Sequence, residues 1–568
     1  MAEDVVIEDL VLKSTVQDLP IPDMDFAAFM RTRLREHPGA TALIDGITGE
    51  RYTYGDVESI CESVAAGFQD LGLQAGDTMC FVSPNTADLM IAFIAASFAG
   101  ATIACIKTIF NEREAERVLS MTKPTLVFCD AASAATVKQA CSDVPSVKVM
   151  VATGDCDGMV KFSKLKETPR SKYNKPTSAS PQDIFTVFMS SGTTGLPKAA
   201  LITHHNFIAA LVTFGYKNPG MKKGDVCLVY LPVMHAAPFW VCFSMFTHYV
   251  ETVMLAAMDL ASVLPPIQKY KVTNLLLYPT HGLHMVQKGL PPGLDISSLR
   301  NIFIAGSSIP AQVMRGLAEI FSGGIIYHGY GLSEVSCAIA YTRGMCHDFK
   351  TAGTPEPCVS IKVVDVDTRK KLGPGQCGEI CIKGPTCFKG YLDNPEATAE
   401  IYDEEGYVKS GDTGYYSARG ELYVLDRIKD FVKCMDLQVA PAELEELLQD
   451  HADVAQAAVV GVPHSTYGEA PRAFIVLKAE ARPKTPQEEE TKQLEFVKYI
   501  ESEIWWLSMQ ASAHLDTPDS ATKPPFLAFD TNAAEVTEPA PWTDAQGSVI
   551  WQLEEDNDLL CFNDQSSS

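Results

Sequence analysis

The stretch Asp183–Lys198, DIFTVFMSSGTTGLPK, begins as an apolar run and ends as a loop of hydroxyls, glycines and one cation. Its first seven residues are rich in β-branched and aromatic side chains, as a buried strand requires. Ser190, Ser191, Thr193 and Thr194 then bring four hydroxyls into one turn. Gly192 and Gly195 allow a tight backbone and close approach of an anion, and Lys198 closes the loop with positive charge. Such parts can cradle a polyphosphate through backbone N–H groups. The spacing is not the Walker A pattern G-x-x-x-x-G-K-[ST]. A Ser/Thr/Gly turn is also a common surface loop, so the loop alone leaves both readings open.

Outward from this loop, similar apolar runs recur. DTMCFVS (77–83), TLVFCD (125–130), VKVMVAT (147–153), DVCLVYLP (225–232) and LRNIFIAG (299–306) read as buried strands. Helical patterns separate several of them. The alternation from residue 40 to about 425 predicts an α/β architecture with largely parallel sheets. The polar, Pro-containing segment 165–181 reads as a surface loop, and no internal repeat is present. Residues 89–106, LMIAFIAASFAGATIACI, carry no charge. A membrane span needs about 20 such residues, but Gly100 divides this run into an Ala-rich helix and the strand ATIACI. It therefore reads as a buried α/β unit, not a span.

The texture changes near Asp426. LYVLDRIKDFVK leads into a helix start at Ala442–Leu448, and VAQAAVVGVP and PRAFIVLKA read as two more strands. It changes again past residue 500, where four of the five tryptophans lie. From Glu480 onward there are 18 acidic and 5 basic residues, about half of the net charge of −25. This end reads as weakly structured. The domain boundaries expected are 1–426, 427–504 as a partial C-terminal domain, and 505–568 as a divergent acidic tail.

Composition excludes several classes. The chain of 568 residues is 46% apolar and 21% charged, ordinary for a globular protein. Its acidity argues against a nucleic-acid partner, which needs clustered Lys and Arg. Sixteen cysteines without CxxC spacing fit a reduced intracellular protein. The start Met-Ala-Glu-Asp lacks a basic n-region, and the end Ser-Ser-Ser does not match an S-K-L signal, so a cytoplasmic location is expected.

The loop Ser190–Lys198 resembles that of the adenylate-forming superfamily: acyl-CoA synthetases, luciferases and peptide-synthetase adenylation domains. Further motifs follow in the family's order. Tyr327-His-Gly-Tyr-Gly-Leu-Ser-Glu334 is similar to its adenine and magnesium motif, and Ser410-Gly-Asp-Thr-Gly414 to its ribose motif. Leu425-Asp-Arg-Ile-Lys-Asp430 resembles its hinge, and Val439-Ala-Pro-Ala-Glu-Leu-Glu445 the helix after it. The resemblance spans about residues 25 to 480 and is strongest to luciferase-like and 4-coumarate–CoA-ligase-like enzymes. It implies a large adenylation domain of α/β subdomains and a small, apparently incomplete α+β domain.

The resemblance also implies roles. A carboxylic acid and ATP would form an acyl-adenylate, and CoA or another thiol would accept the acyl group. Ser190, Ser191, Gly192, Thr193, Thr194 and Lys198 would hold the phosphates, with Thr194 also catalytic. Glu334 would help hold Mg²⁺, a hard ion suited to carboxylate and phosphate oxygens. Gly329, Tyr330, Gly331 and Ser333 would surround the adenine, with Tyr330 stacking on it. Asp412 would accept both ribose hydroxyls, and Arg427 would reach the nucleotide. His235 and Gly306 would border the acyl pocket, beside Tyr278-Pro279-Thr280. Lys429 stands at the hinge, and Lys433 and Gln438 near CoA.

Two departures stand against that pattern. The family's closing PKT-x-x-GK-x-x-R, whose lysine bridges carboxylate and α-phosphate, is absent. Pro483-Lys484-Thr485 is followed by PQEEE, and Lys523 in SATKPPF lacks the flanking residues. Met435 and Asp436 replace a Lys and a Gly of the CoA-facing segment. Asp takes positive φ only at some cost, and its charge would repel CoA phosphates. The expectation is therefore an acid–thiol ligase, with a nucleotide-binding pseudoenzyme of weak turnover as its alternative.

Overall fold

The computed structural model describes residues 5–107, 112–177, 179–190, 198–216, 218, 221–257, 259–306, 309–321, 323–342, 348–428, 432–434, 437–439, 441–464, 468–483, 485–503 and 528–530. Three sheets form the large N-terminal part. The first has eight strands in the order Gly390–Tyr391, Lys198–Thr203, Ile184–Ser190, Thr102–Cys105, Thr78–Val82, Leu126–Cys129, Val149–Ala152 and Val160–Lys161. The second has nine: Thr354–Pro355, Cys337–Tyr341, Ile325–Leu332, Asn301–Ile304, Asn274–Leu277, Val226–Val229, Glu251–Met254, Thr41–Asp45 and Arg51–Thr53. The interiors of both are parallel, as the alternation predicts. One edge of the first sheet stays parallel, Val149–Ala152 with Val160–Lys161, whereas its other edge, Gly390–Tyr391 on Lys198–Thr203 on Ile184–Ser190, is antiparallel and helps to shape the cleft described below.

Lys198–Thr203 runs antiparallel to Ile184–Ser190, with Ser190 opposite Lys198. The phosphate-loop sequence therefore joins two hydrogen-bonded strands and does not open a helix. The helix His204–Gly215 begins only after the second strand, through a capping box of Thr203 and Asn206.

A third, antiparallel sheet of Val5–Glu8, Val11–Ser14, Ser360–Val364, Gly378–Lys383, Val408–Tyr416 and Leu422–Arg427 carries the ribose-like motif. The segment after Val432 forms a separate small sheet ordered Leu437–Val439, Val432–Cys434, Gly468–Leu477 and Val454–His464. Helices Pro441–Asp450 and Pro486–Glu503 accompany it, with their own core of Leu444, Leu448, Ile475 and Phe496.

The core of the large part is aromatic. Phe188, on the first sheet, meets Phe239 of helix Ala236–Thr247 at 5.2 Å, and Phe239 packs on Phe93 at 5.1 Å. Truncating a fully buried aromatic of this kind costs about 3–5 kcal/mol. The uncharged run 89–106 is the helix Ala87–Phe98 and the strand Thr102–Cys105, and almost all of it is buried. Gly100, at φ +82°, makes the turn; a Cβ there would lie 2.9 Å from the Ala75 methyl. No helix among the described residues is long and apolar enough to cross a membrane.

The described residues of 165–181 are largely an exposed loop, as the sequence reads, and the loop is anchored: Tyr173 donates to the Phe98 carbonyl at 2.8 Å, and Arg31 donates to Tyr173 at 2.6 Å. One segment differs from its sequence reading. Within the acidic end, Ala528–Asp530 forms a parallel strand on Arg472–Phe474. The other residues of 505–568 lie outside the described residues.

Candidate active site

The strand Ile325–Leu332 leaves its parallel sheet at Gly329 and pairs antiparallel with Cys337–Tyr341, with an irregularity between Tyr330 and Gly331. The chain then makes one tight turn, Ser333–Val335, closed by Ser336 at φ +63°. Ser336 offsets this left-handed conformation by donating to the Thr386 carbonyl at 2.7 Å. The turn buries Glu334, whose own carbonyl accepts the Phe388 N–H at 2.9 Å. Its Oε1 accepts two hydroxyls, Ser190 at 2.5 Å and Tyr391 at 2.8 Å. A buried carboxylate needs such donors, since an unpaired charge there is very costly. Lys198 Nζ lies 5.2 Å from the centre of the Tyr391 ring, a cation–π arrangement.

Asp412 lies across the cleft on Val408–Tyr416. Gly411, at φ +73°, distorts that strand, and its N–H donates to Glu379 Oε1 at 3.1 Å. Ser410 Oγ accepts the Asp412 N–H at 3.0 Å and donates to the Ile380 carbonyl at 2.7 Å. These bonds fix the Asp412 backbone. Its side chain is 13% exposed, and the carboxylate accepts the Tyr330 hydroxyl at 2.5 Å. The strand register sets Arg427 opposite it, with Nε 3.6 Å from Oδ1. Burial pushes the Asp412 carboxyl above its ordinary value, with the Tyr330 bond and Arg427 pulling the other way. Arg427 is half exposed, so this pair contributes little to stability.

Both networks open onto one cleft of about 450 Å³. Ser190, Lys198, Glu334, Tyr391, Asp412 and Arg427 are among its lining residues. Four motifs far apart in sequence thus converge on a space large enough for a nucleotide. The oxygen donors Glu334 and Ser190, with nearby cations, suit a phosphate–magnesium group.

Other sequence-predicted residues lie elsewhere. Gly306, at φ +109°, follows Asn301–Ile304, and a Cβ there would lie 3.3 Å from the Tyr278 ring. Tyr278 stacks near His281, which shares a 2.9 Å hydrogen bond with Tyr230. His235 precedes helix Ala236–Thr247 and does not line the cleft. Burial, and then Lys107, lower its pKa, so it is neutral at pH 7. Gly329, Gly331 and Ser333 shape the turn that carries Tyr330 and Glu334. Ser191, Gly192, Thr193, Thr194 and Lys429 lie outside the described residues, as does Lys523. Lys433 and Gln438 are paired backbone positions in one hairpin; their side chains lie outside the described ones.

Pro483-Lys484-Thr485 has a local explanation. Thr485 Oγ1 accepts the Glu488 N–H at 3.2 Å, so it caps helix Pro486–Glu503. Three residues of the site escape sequence reasoning: Tyr391, Glu379 and Arg369. Tyr391 follows Gly390 at φ +143°, where a Cβ would fall 2.5 Å from Thr398 Cγ2. A glycine before an aromatic is the sole local sign, and it does not reveal the partner Glu334. Arg369 and Glu379 form an ion pair between sequence neighbours with no motif of their own.

Residues 30–392 match the family model of the AMP-binding enzyme, and residues 443–504 that of the AMP-binding enzyme C-terminal domain. A 4-coumarate–CoA ligase of Pinus taeda is 31% identical over 513 residues, covering 88% of this chain and 95% of that one. A luciferin 4-monooxygenase of Nipponoluciola cruciata is 31% identical over 454 residues, covering 78% and 82%. The structure of a benzoate CoA ligase from Burkholderia xenovorans LB400 superposes with a TM-score of 0.76 at 22% identity, covering 92% and 98%.

Proposed function

Because this chain belongs to the AMP-binding enzyme family of adenylate-forming enzymes, we propose that it activates a carboxylic acid as an acyl-adenylate and then transfers the acyl group to CoA. One observation carries this reading: the Glu334–Ser190–Tyr391 network and the Asp412–Arg427 pair line one cleft with Lys198, and Tyr330 stands behind Asp412 through its hydroxyl. The first set of groups suits phosphate and Mg²⁺; the second suits ribose and adenine.

In this reading Asp412 accepts the ribose hydroxyls, a charge-assisted pair. Tyr330 releases Asp412 and packs against the adenine, and Arg427 approaches the sugar and α-phosphate. Lys198 and the loop 190–198, with Thr194, hold the β- and γ-phosphates. Glu334 would hold Mg²⁺, which supplies charge neutralisation on the phosphates. The substrate carboxylate oxygen attacks the α-phosphorus, and pyrophosphate leaves with the bonding pair. Little covalent work falls to the protein, so positioning and electrostatics dominate. Gly306 and Tyr278 border the acyl group, and a neutral His235 would orient its carboxylate. Thioester formation then needs rotation at Lys429, bringing Lys433 and Gln438 toward CoA. The same reading divides the chain into 1–426, 427–504 and 505–568, and a reducing cytoplasm suits its thiols.

Pyrophosphate exchange with a panel of aliphatic and aromatic acids tests the first half-reaction alone. Exchange with at least one acid is expected; none, together with no MgATP binding, refutes the reading. A second reading, a nucleotide-binding pseudoenzyme, is favoured by the missing lysine motif and by Asp436. Loss of one preorganised charge costs about 10²–10³ in rate, so slow exchange is expected. MgATP binding without any exchange would select the pseudoenzyme.

A further inference from the structure

Among the described residues, four cations line the cleft: Lys198, Arg369, Lys409 and Arg427. Arg369 is engaged by Glu379, which also accepts the Gly411 N–H. Arg427 faces Asp412. Lys198 rests over the Tyr391 ring. The Lys409 ammonium has no ion-pair or hydrogen-bond partner among the described residues, although the residue is half-buried.

Its backbone is held firmly. Lys409 pairs with Cys381 across the sheet, and the next residue, Ser410, is tied to the Ile380 carbonyl at 2.7 Å. An ammonium carried on a held backbone at a cleft wall, with no counter-charge of its own among the described residues, is free to take one from a bound ligand. Burying further charge beside it is favourable only if that charge is negative. Glu379, Glu400 and Asp412 line the same cleft, but none of them pairs with Lys409; a nucleotide bound in that cleft would bring its phosphates into the same space as this ammonium.

We propose that Lys409 is a further nucleotide-positioning residue, which pairs with the β- or γ-phosphate of bound ATP and steadies the departing pyrophosphate. The inference rests on the proposed adenylation reading. Lys409 would supply, from the large domain, part of the positive charge that the absent C-terminal lysine motif does not provide. Lys198 and Lys409 then form two cationic contacts to one polyanion, the arrangement that stabilises charge developing on a leaving group.

The test is isothermal titration of the full chain with MgATP, MgADP and AMP, for wild type, Lys409→Ala and Lys409→Arg, with pyrophosphate exchange alongside. A charge-assisted bond contributes about 1.5–3 kcal/mol, or about a 10- to 100-fold change in affinity. Lys409→Ala is expected to weaken MgATP by that factor and to leave AMP within about 2-fold, with Lys409→Arg restoring most of the loss. Unchanged AMP affinity also shows that Lys409→Ala is folded; should it not fold, Lys409→Gln takes its place with the same criterion. Equal weakening of ATP and AMP, or no weakening of either, overturns the proposal while leaving the adenylation reading intact. Failure of the wild type to bind any nucleotide overturns both.

Discussion

Tyr391→Phe isolates one bond of the site. Tyr391 donates to Glu334 Oε1 at 2.8 Å, and its ring lies under Lys198 at 5.2 Å. Phenylalanine keeps the ring, its buried volume and the cation–π contact, and it leaves the strand pairing of Tyr391 with Ala200 untouched. Only the hydroxyl is lost. Burial and the neighbouring Glu334 both push the Tyr391 phenol far above its ordinary value, so it is a neutral donor throughout the working range. A hydrogen bond to a charged group contributes about 1.5–3 kcal/mol. Ser190 still donates to the same oxygen, and the Phe388 N–H still anchors the Glu334 backbone. The lower end of that range is therefore expected, about 1.5 kcal/mol, or about a 10-fold loss of kcat/KM for MgATP. Pyrophosphate exchange at varied MgATP measures it, and a magnesium titration shows whether Glu334 is the group disturbed. If Tyr391→Phe exchanges within about 2-fold of wild type at every magnesium concentration, Glu334 does not depend on this bond. The role given to it here is then wrong.

Three further outcomes follow from the same geometry. Burial raises the pKa of the Asp412 carboxyl, and in the proposed reading it must be ionised to accept the ribose hydroxyls. MgATP affinity should thus fall as pH drops at a higher pH than an unperturbed aspartate would give, and Asp412→Asn should bind weakly at all pH values; a wild-type affinity flat to pH 4 refutes this. His204 Nδ1 accepts the buried Phe26 N–H at 3.0 Å, and burial lowers its pKa below the ordinary 6.5. The unfolded chain then takes up a proton that the native state refuses. Stability is full above about pH 6.5 and falls below it, and urea midpoints from pH 5 to 8 should show that slope reduced in His204→Asn. Thr485→Ala removes a helix cap and should lower stability by about 1 kcal/mol. It should leave pyrophosphate exchange unchanged, whereas a slowed exchange would mean that the PKT triplet serves the chemistry.

The parallel interiors, the helix–turn–strand at Gly100 and the change of texture near Asp426 are legible because each depends on local periodicity and on residues a few positions apart. Ser190, Lys198, Glu334, Asp412 and Arg427 are legible as motifs for the same reason. The bonds that anchor Tyr173 in the surface loop 165–181 are not, because Phe98 and Arg31 are distant in sequence.

What the amino-acid order determined by itself is which groups can do the chemistry: a hydroxyl-rich loop with a lysine, two acids in distinctive turns and an arginine. It also placed Met435 and Asp436 where the resembled family carries a Lys and a Gly. What only the tertiary structure decided is how these groups meet. The Ser190–Glu334 and Tyr330–Asp412 bonds each join residues more than eighty positions apart. No spacing rule reaches that far, because strand register and a positive φ at Gly411 set those distances. The same holds for Tyr391, which reaches Glu334 only through the packing of distant elements.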